Sequence, residues 1–193
     1  MFIGFIGAPG SGKTTVAARV FAELKQNGQS DVEFIAEEAR RYIATKKYIG
    51  HDLKLTNADQ EMIFNTQAFA EKVMVNAVGQ YGVVVSDSCA LNSLWYMAPD
   101  KRTEFIANNQ EYFKWLKENA YLFYASPLGI QSSEDTLRIH DAKQSQGIDT
   151  TITATLNSYP YDWIPLCKAP LKGTIDLKVM KVIERIYERL TAH

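Results

Sequence analysis

Gly7-Ala8-Pro9-Gly10-Ser11-Gly12-Lys13-Thr14 satisfies the pattern G-x-x-x-x-G-K-[ST] at every fixed position, and an apolar run, Phe2 to Ile6, leads directly into it. A chain that wraps around two phosphates must turn its amide N–H groups inward, which requires small or φ-permissive residues such as Gly7, Gly10 and Gly12. On this reading Gly7, Ala8, Pro9, Gly10, Ser11, Gly12, Lys13, Thr14 and Thr15 form the cofactor-binding segment. Lys13 places a point charge on the β- and γ-phosphates, and Thr14 offers its hydroxyl to Mg²⁺. The helix that begins there aims the positive end of its dipole at the same anion. The stretch therefore reads as a nucleoside triphosphate site between a strand and a helix. Val16, Ala17, Val20, Phe21 and Leu24 recur on one face of that helix, and Asn27-Gly28 stops it.

Further along, Val32 to Ala36 reads as a short strand, and the stretch from Glu37 to Ile43 has helical character. Thr56 or Asn57 caps a long helix running to about Val78, with Ile63, Phe69 or Ala70, Val73 and Ala77 as its inward stripe and Gly79 and Gly82 ending it. Tyr81 to Val85 is a third strand, apolar throughout as buried parallel strands tend to be. Helical stretches from Ala90 to Met97 and from about Asp100 to Asn119 lead into a fourth strand, Tyr121 to Ala125. The segment from Pro127 to about Gly147 is polar with little apolar periodicity and reads as a mobile flap. Tyr161 to Cys167 supplies a fifth strand, and Gly173-Thr174 starts a last helix with Leu177, Met180, Ile183, Tyr187 and Leu190 facing the core.

Alternating strands and helices imply a parallel sheet with right-handed crossovers. At 193 residues the chain is expected to form one three-layer α/β domain over 1–193, of the P-loop NTPase class. Ligands of such open sheets bind beyond the carboxyl ends of the strands. The phosphate loop, Glu37, Asp87 and the segment after Ala125 all fall there.

Phosphoryl transfer asks a protein for positioning, charge neutralisation and a residue that orients or deprotonates the attacking oxygen. Asp87, past the Val83-Val84-Val85 strand, is placed to hold Mg²⁺ directly or through water, and equally to cap the helix that follows. Glu37 or Glu38, at the end of the second strand, is suited to accept a proton from a substrate hydroxyl, or to complement a helix dipole. Arg40 lies one helical turn from Glu37, so both can face one pocket, whereas Arg41 points away by about 100°. Arg138, in the flap, is the candidate cation for the transferring group. Trp95 and Tyr96 are candidates to stack on a planar substrate base, or members of the core. His51 and His140 have no partners by spacing.

With these segments in place, including Glu37-Glu38-Ala39-Arg40 and Asp135-x-x-Arg138, the chain resembles the small P-loop kinases of the bacterial nicotinamide riboside kinase type. It is more distantly similar to deoxynucleoside and deoxynucleotide kinases, including those encoded by phages. The resemblance implies a five-stranded sheet, ATP and Mg²⁺ as cofactors, Glu37 as catalytic base and the flap, about 127–147, as a lid carrying Arg138. The catalytic set it implies is Lys13, Glu37, Asp87 and Arg138. Lids in that group usually carry a further arginine, where this chain has Lys143 and Gln144.

The expected activity is ATP-dependent phosphoryl transfer to a nucleoside or nucleotide-like small molecule. One rival is transfer to a nucleic acid, such as a DNA 5′ end or a hydroxymethylated base, with Arg40, Arg41, Lys46 and Lys47 tracking the backbone. Another is an ATPase switch whose acceptor is water. N-K-x-D, D-x-x-G and an L-S-G-G-Q-like signature are all absent from the sequence, against a GTPase switch and a transporter ATPase. The net charge of -1 gives no global basic field. Two cysteines, Cys89 and Cys167, lie far apart without C-x-x-C spacing, which argues for reduced thiols and a cytoplasmic setting rather than a zinc site. No stretch approaches the about twenty apolar residues that span a bilayer. A monomer or a homodimer is expected.

Overall fold

Five parallel strands, β1 (Phe2–Ile6), β2 (Val32–Ile35), β3 (Val83–Ser86), β4 (Ala120–Ala125) and β5 (Trp163–Leu166), form one sheet in the order β2-β3-β1-β4-β5. This computed structural model describes residues 1–125, 141–156, 163–166 and 171–191. β1 lies in the middle, with Phe2 opposite Val84 on one side and Ala120 on the other. Its neighbours diverge from it in both directions, so a crevice opens at its carboxyl end, where the octapeptide begins.

Both faces of the sheet are covered, which is why the strands read as continuous apolar runs. On one face Ile3, Phe5, Val83, Val85 and Phe123 pack against α1 (Lys13–Gln26) and α7 (Leu171–Thr191). On the other, Phe2, Ile6, Val84, Leu122 and Tyr124 pack against α3 (Asn57–Val78), a 3₁₀ helix (Ala90–Tyr96), α4 (Pro99–Asn108), α5 (Gln110–Asn119) and α6 (Ala142–Leu156). The three-layer arrangement expected from the sequence is present. No helix among the described residues is long and apolar enough to cross a membrane.

α1 buries Val16, Ala17, Val20 and Leu24, as its spacing predicts, and Phe21 meets Phe34 edge-on at 5.7 Å. α2 (Glu38–Tyr48) outruns its predicted end by five residues. α3 begins where expected, with a capping box in which the Thr56 hydroxyl accepts from the Asp59 amide and the Asp59 carboxylate accepts from the Thr56 amide. The same carboxylate takes the Tyr42 hydroxyl at 2.6 Å and the Lys46 ammonium at 3.3 Å, fastening α2 to α3. These bonds hold the Asp59 carboxyl far below its ordinary range.

The inward stripe of α3 matches the expected one at Ile63, which is buried, and at Ala70, which packs against the core, and departs from it elsewhere. Phe69 is 70% exposed and Val73 46%, while the buried set is Gln60, Ile63, Phe64, Gln67, Ala68 and Glu71. The apolar spacing misplaced Phe69 and Val73 because this helix carries the hydrogen-bonding side chains of Gln60, Gln67 and Glu71 inward. The stretch expected from Asp100 to Asn119 is two helices that meet at Asn109. On α7 the buried residues include Lys178, Val179, Val182 and Ile186, and Leu177 and Met180 are exposed; Ile183, Tyr187 and Leu190 are partly buried against the core. Of the flap, positions 142–147 belong to α6 rather than to an irregular segment. The remainder up to 140, with Arg138, lies outside the described residues, as does Cys167.

Candidate active site

The loop after β1 is shaped by backbone demands that its glycines meet. At Gly7, φ is 152°, and a Cβ would sit 2.3 Å from the Ala125 carbonyl oxygen, a backbone atom of β4 that has nowhere to go. Gly12, at φ 81° and ψ 14°, is the left-handed residue preceding α1. No side chain caps that helix and its first turn holds no acidic residue, so its leading amides and the positive end of its dipole stay available to an anion. The Lys13 ammonium folds back over the loop and donates to the carbonyls of Gly7 at 2.7 Å and Ala8 at 3.1 Å.

Pro9 to Thr15 line one wall of a cleft of about 410 Å³, within the range of small-ligand sites. Gly7 and Ala8 do not line it. The Gly7 amide donates to Asn92 Oδ1 at 3.2 Å, and Ala8 is fully buried in the core, so these two shape the loop from behind.

Opposite stand Glu37, Arg40, Gln60, Ile63 and Tyr96. Glu37 precedes α2 with extended backbone, and one turn on, Arg40 lines the same cleft, as helix geometry requires. Arg41 does not line the cleft; it is exposed and pairs at 2.8 Å with Glu38, which does line it. Gln67 anchors this wall: its Oε1 accepts from the Glu38 amide at 2.9 Å, and its Nε2 donates to Ser86 Oγ at 3.0 Å. The ends of β2 and β3 are thus tied together through α3.

Asp87 does not line the cleft but lies buried beside it, 5% exposed and close to Thr14, Lys13 and Glu37, its amide donating to the Ile35 carbonyl at 3.1 Å. Burial, reinforced by the Glu37 carboxylate, pushes its carboxyl up to about 6, against the pull of Lys13, a hydrogen bond with Thr14, and Arg40. Its Oδ1 is buried without a hydrogen-bond partner. An orphaned carboxylate oxygen next to a loop hydroxyl fits a divalent cation that takes its remaining ligands from phosphate and water. Among the described residues no group of three or more His, Cys, Asp or Glu gathers to cage a metal by itself.

Tyr96 lines the cleft, and burial followed by Glu37 holds its hydroxyl above the ordinary range. Trp95 does not reach it. That ring is 4% exposed in the core cluster, with the Arg102 guanidinium 5.8 Å from its centre, so the stacking role expected for Trp95 is withdrawn.

Several polar residues of the site were not singled out in the sequence. Asn92 donates to the Phe5 carbonyl at 2.8 Å while accepting from Gly7, bracing the loop. Glu71 is fully buried beneath the 3₁₀ helix, accepts from the Ala90 amide at 2.9 Å and the Tyr112 hydroxyl at 2.7 Å, and is pushed up by burial to about 8. Gln60 and Ser93 are 5% and 6% exposed, line the cleft, and have no side-chain hydrogen bond among the described residues. The available signal was a polar residue recurring inside an apolar helical stripe, at 60, 67 and 71 on α3 and at 178 on α7.

A family model described as AAA domain matches residues 2–172. The chain belongs to that family. Among solved structures, this AAA-domain chain is similar to a NadR protein in complex with NR, at TM-score 0.68 and 16% identity over 97% of this chain. The chain spans about half of that protein, 48% of its length. It is also similar to deoxyadenosine kinase from M. mycoides with bound dATP, at TM-score 0.56 and 14% identity, covering 97% of this chain and 100% of that one. Kti12 from Chaetomium thermophilum in complex with ADP-AlF3 matches at TM-score 0.55 and 14% identity, covering 97% and 98%. No curated protein matches the sequence. The fold is that of the small P-loop kinases, and the family resemblance read from the sequence holds at that level.

Proposed function

We propose that this protein is an ATP-dependent phosphotransferase that passes the γ-phosphoryl group to a nucleoside or nucleotide-like small molecule. The observation that carries the reading is the pairing of two unlike walls in one cleft. An amide-lined phosphate loop with Lys13 shares the cleft with Glu37, Arg40 and Tyr96, and the buried carboxylate of Asp87 sits beside it, close to Thr14, Lys13 and Glu37. The neighbours in complex with NR and with bound dATP support a nucleoside-like ligand.

In this mechanism the amides of the loop bind the β- and γ-phosphates, and Lys13 swings from the Gly7 and Ala8 carbonyls onto those oxygens. Thr14 and Asp87 would hold Mg²⁺, which when bound neutralises charge on the phosphates. Glu37 accepts the proton of the acceptor hydroxyl as that oxygen attacks the γ-phosphorus and the bond to the β–γ bridging oxygen breaks. Arg40 and Tyr96 orient the acceptor. The unpartnered carboxamide of Gln60 and hydroxyl of Ser93 supply hydrogen bonds to its polar edge, and Ile43, Leu55 and Ile63 supply apolar contact. Arg138, in the segment ahead of α6, is assigned the closing cation over the reacting group. The catalytic unit is one domain, 1–193, working in the cytoplasm as a monomer or homodimer.

A DNA acceptor is less well supported, since two of the four basic residues proposed to track a backbone are matched by carboxylates: Arg41 by Glu38 and Lys46 by Asp59. The test is a panel of nucleosides, nucleotides and DNA oligomers incubated with γ-labelled ATP and Mg²⁺. Label transferred to a nucleoside or nucleotide is the expected result. Label on the oligomers alone would give the site to nucleic acid, and inorganic phosphate as the only product would make the protein an ATPase.

A further inference from the structure

α7 sends a lysine into the molecule. Lys178 is 0% exposed and sits in the stripe of Ile175, Val179, Val182 and Ile186 that packs on the sheet. A buried ammonium is costly unless it is hydrogen bonded, and here its Nζ donates to the carbonyl oxygen of Ser11 at 3.2 Å. Ser11 is itself fully buried. Ser11 lines the cleft and Lys178 does not, so the bond reaches the phosphate loop from the α7 side, and an Arg19–Asp176 ion pair ties α1 to α7.

A peptide unit is planar and trans, so its N–H points opposite to its C=O. The Ser11 carbonyl belongs to the same peptide as the Gly12 amide. When Lys178 holds that carbonyl toward the interior, the Gly12 N–H is directed the other way, toward the cleft that Gly12 lines. Gly12 has left-handed backbone and no side chain to restrain it, so this peptide plane is free to rotate unless something fixes it.

We propose that Lys178 is a positioning residue for the phosphate loop: its buried ammonium fixes the Ser11–Gly12 peptide so that the Gly12 amide is presented to a bound nucleotide's phosphates. The inference rests on the reading of the loop as a nucleotide site. It gives α7, at the far end of the sequence, a part in binding at the first loop, through a charge-assisted hydrogen bond that stiffens a donor before the ligand arrives.

The test is a fluorescence titration of the full chain and of Lys178→Met with Mg²⁺ and a ribose-labelled ADP, with unfolding midpoints recorded in parallel. The expected result is that the folded variant binds about tenfold more weakly or worse, and that its KM for ATP rises while the acceptor KM is unchanged. Equal affinity in the two proteins would overturn the role of Lys178 and leave the nucleotide site standing. A full chain that binds no nucleotide would overturn both. If the variant does not fold, side-chain NMR of the ¹⁵N-lysine-labelled full chain decides. A solvent-protected Lys178 ammonium signal that moves on saturation with MgADP is expected, and an unprotected or unmoved signal would overturn the proposal.

Discussion

Glu37 lines the cleft and Asp87 is buried beside it, and the roles proposed for the two carboxylates follow that difference. Asp87 is buried, and burial together with the Glu37 charge raises its carboxyl to about 6. Below that pH it keeps its proton and loses the anionic oxygens needed to hold a cation beside Thr14. The kcat/KM for MgATP is therefore expected to fall about tenfold per pH unit on the acid side of about 6, and a profile flat down to pH 5 would remove Asp87 from the metal site. Glu37 stands at the cleft wall within one helical turn of Arg40, and replacing it by Gln keeps the shape while removing the proposed base. Glu37→Gln should lower kcat by about a hundredfold or more with little change in KM for ATP. Equal turnover would pass the base role to Asp87 or Glu38. The positions of Lys13, Glu37 and Asp87 were legible because the loop pattern and the strand ends fix them, whereas that of Trp95 was not. Its neighbour Tyr96 lines the cleft and it does not, and the direction of a side chain on a short 3₁₀ helix cannot be read from spacing alone.

At the scale of elements, α1 and α3 show the two sides of reading periodicity. α1 announced its core face because every inward residue is apolar. α3 did not, because Gln67 and Glu71 point inward to serve the ends of β2 and β3 and the start of the 3₁₀ helix, and Gln60 inward to line the cleft, leaving Phe69 and Val73 outside. The same group yields a prediction in stability. The Glu71 carboxyl is raised from 4.5 to about 8, so the folded state holds its proton at pH values where the unfolded chain has released it. Its contribution is fully present below about 4.5 and is lost as pH rises through about 8. Glu71→Gln keeps an acceptor for Ala90 and offers a donor toward Tyr112, without an ionisable group. Denaturant unfolding at pH 5, 6.5 and 8 should show the variant gaining on the natural chain by on the order of 1 kcal/mol per pH unit across that window. Parallel curves would mean that Glu71 does not change its protonation there.

For the whole molecule, the sheet order brings the ends of β1, β2 and β3 to one crevice, and every residue assigned to the chemistry within the described part of the chain follows one of those strands. The class of fold was legible since alternation of apolar strands with capped helices leaves few topologies. The bracing of the loop by Asn92 and Lys178 was not, because it depends on contacts across 85 and 167 positions of sequence. The account as a whole depends on the loop of Gly7 to Thr14 holding a triphosphate. Calorimetric titration of MgATP into the full chain and into Lys13→Ala tests this most directly. The account predicts saturable one-to-one binding by the full chain and affinity lower by at least about tenfold in a variant that keeps its fold. No heat of association with the full chain, or equal affinity in the two, would contradict it.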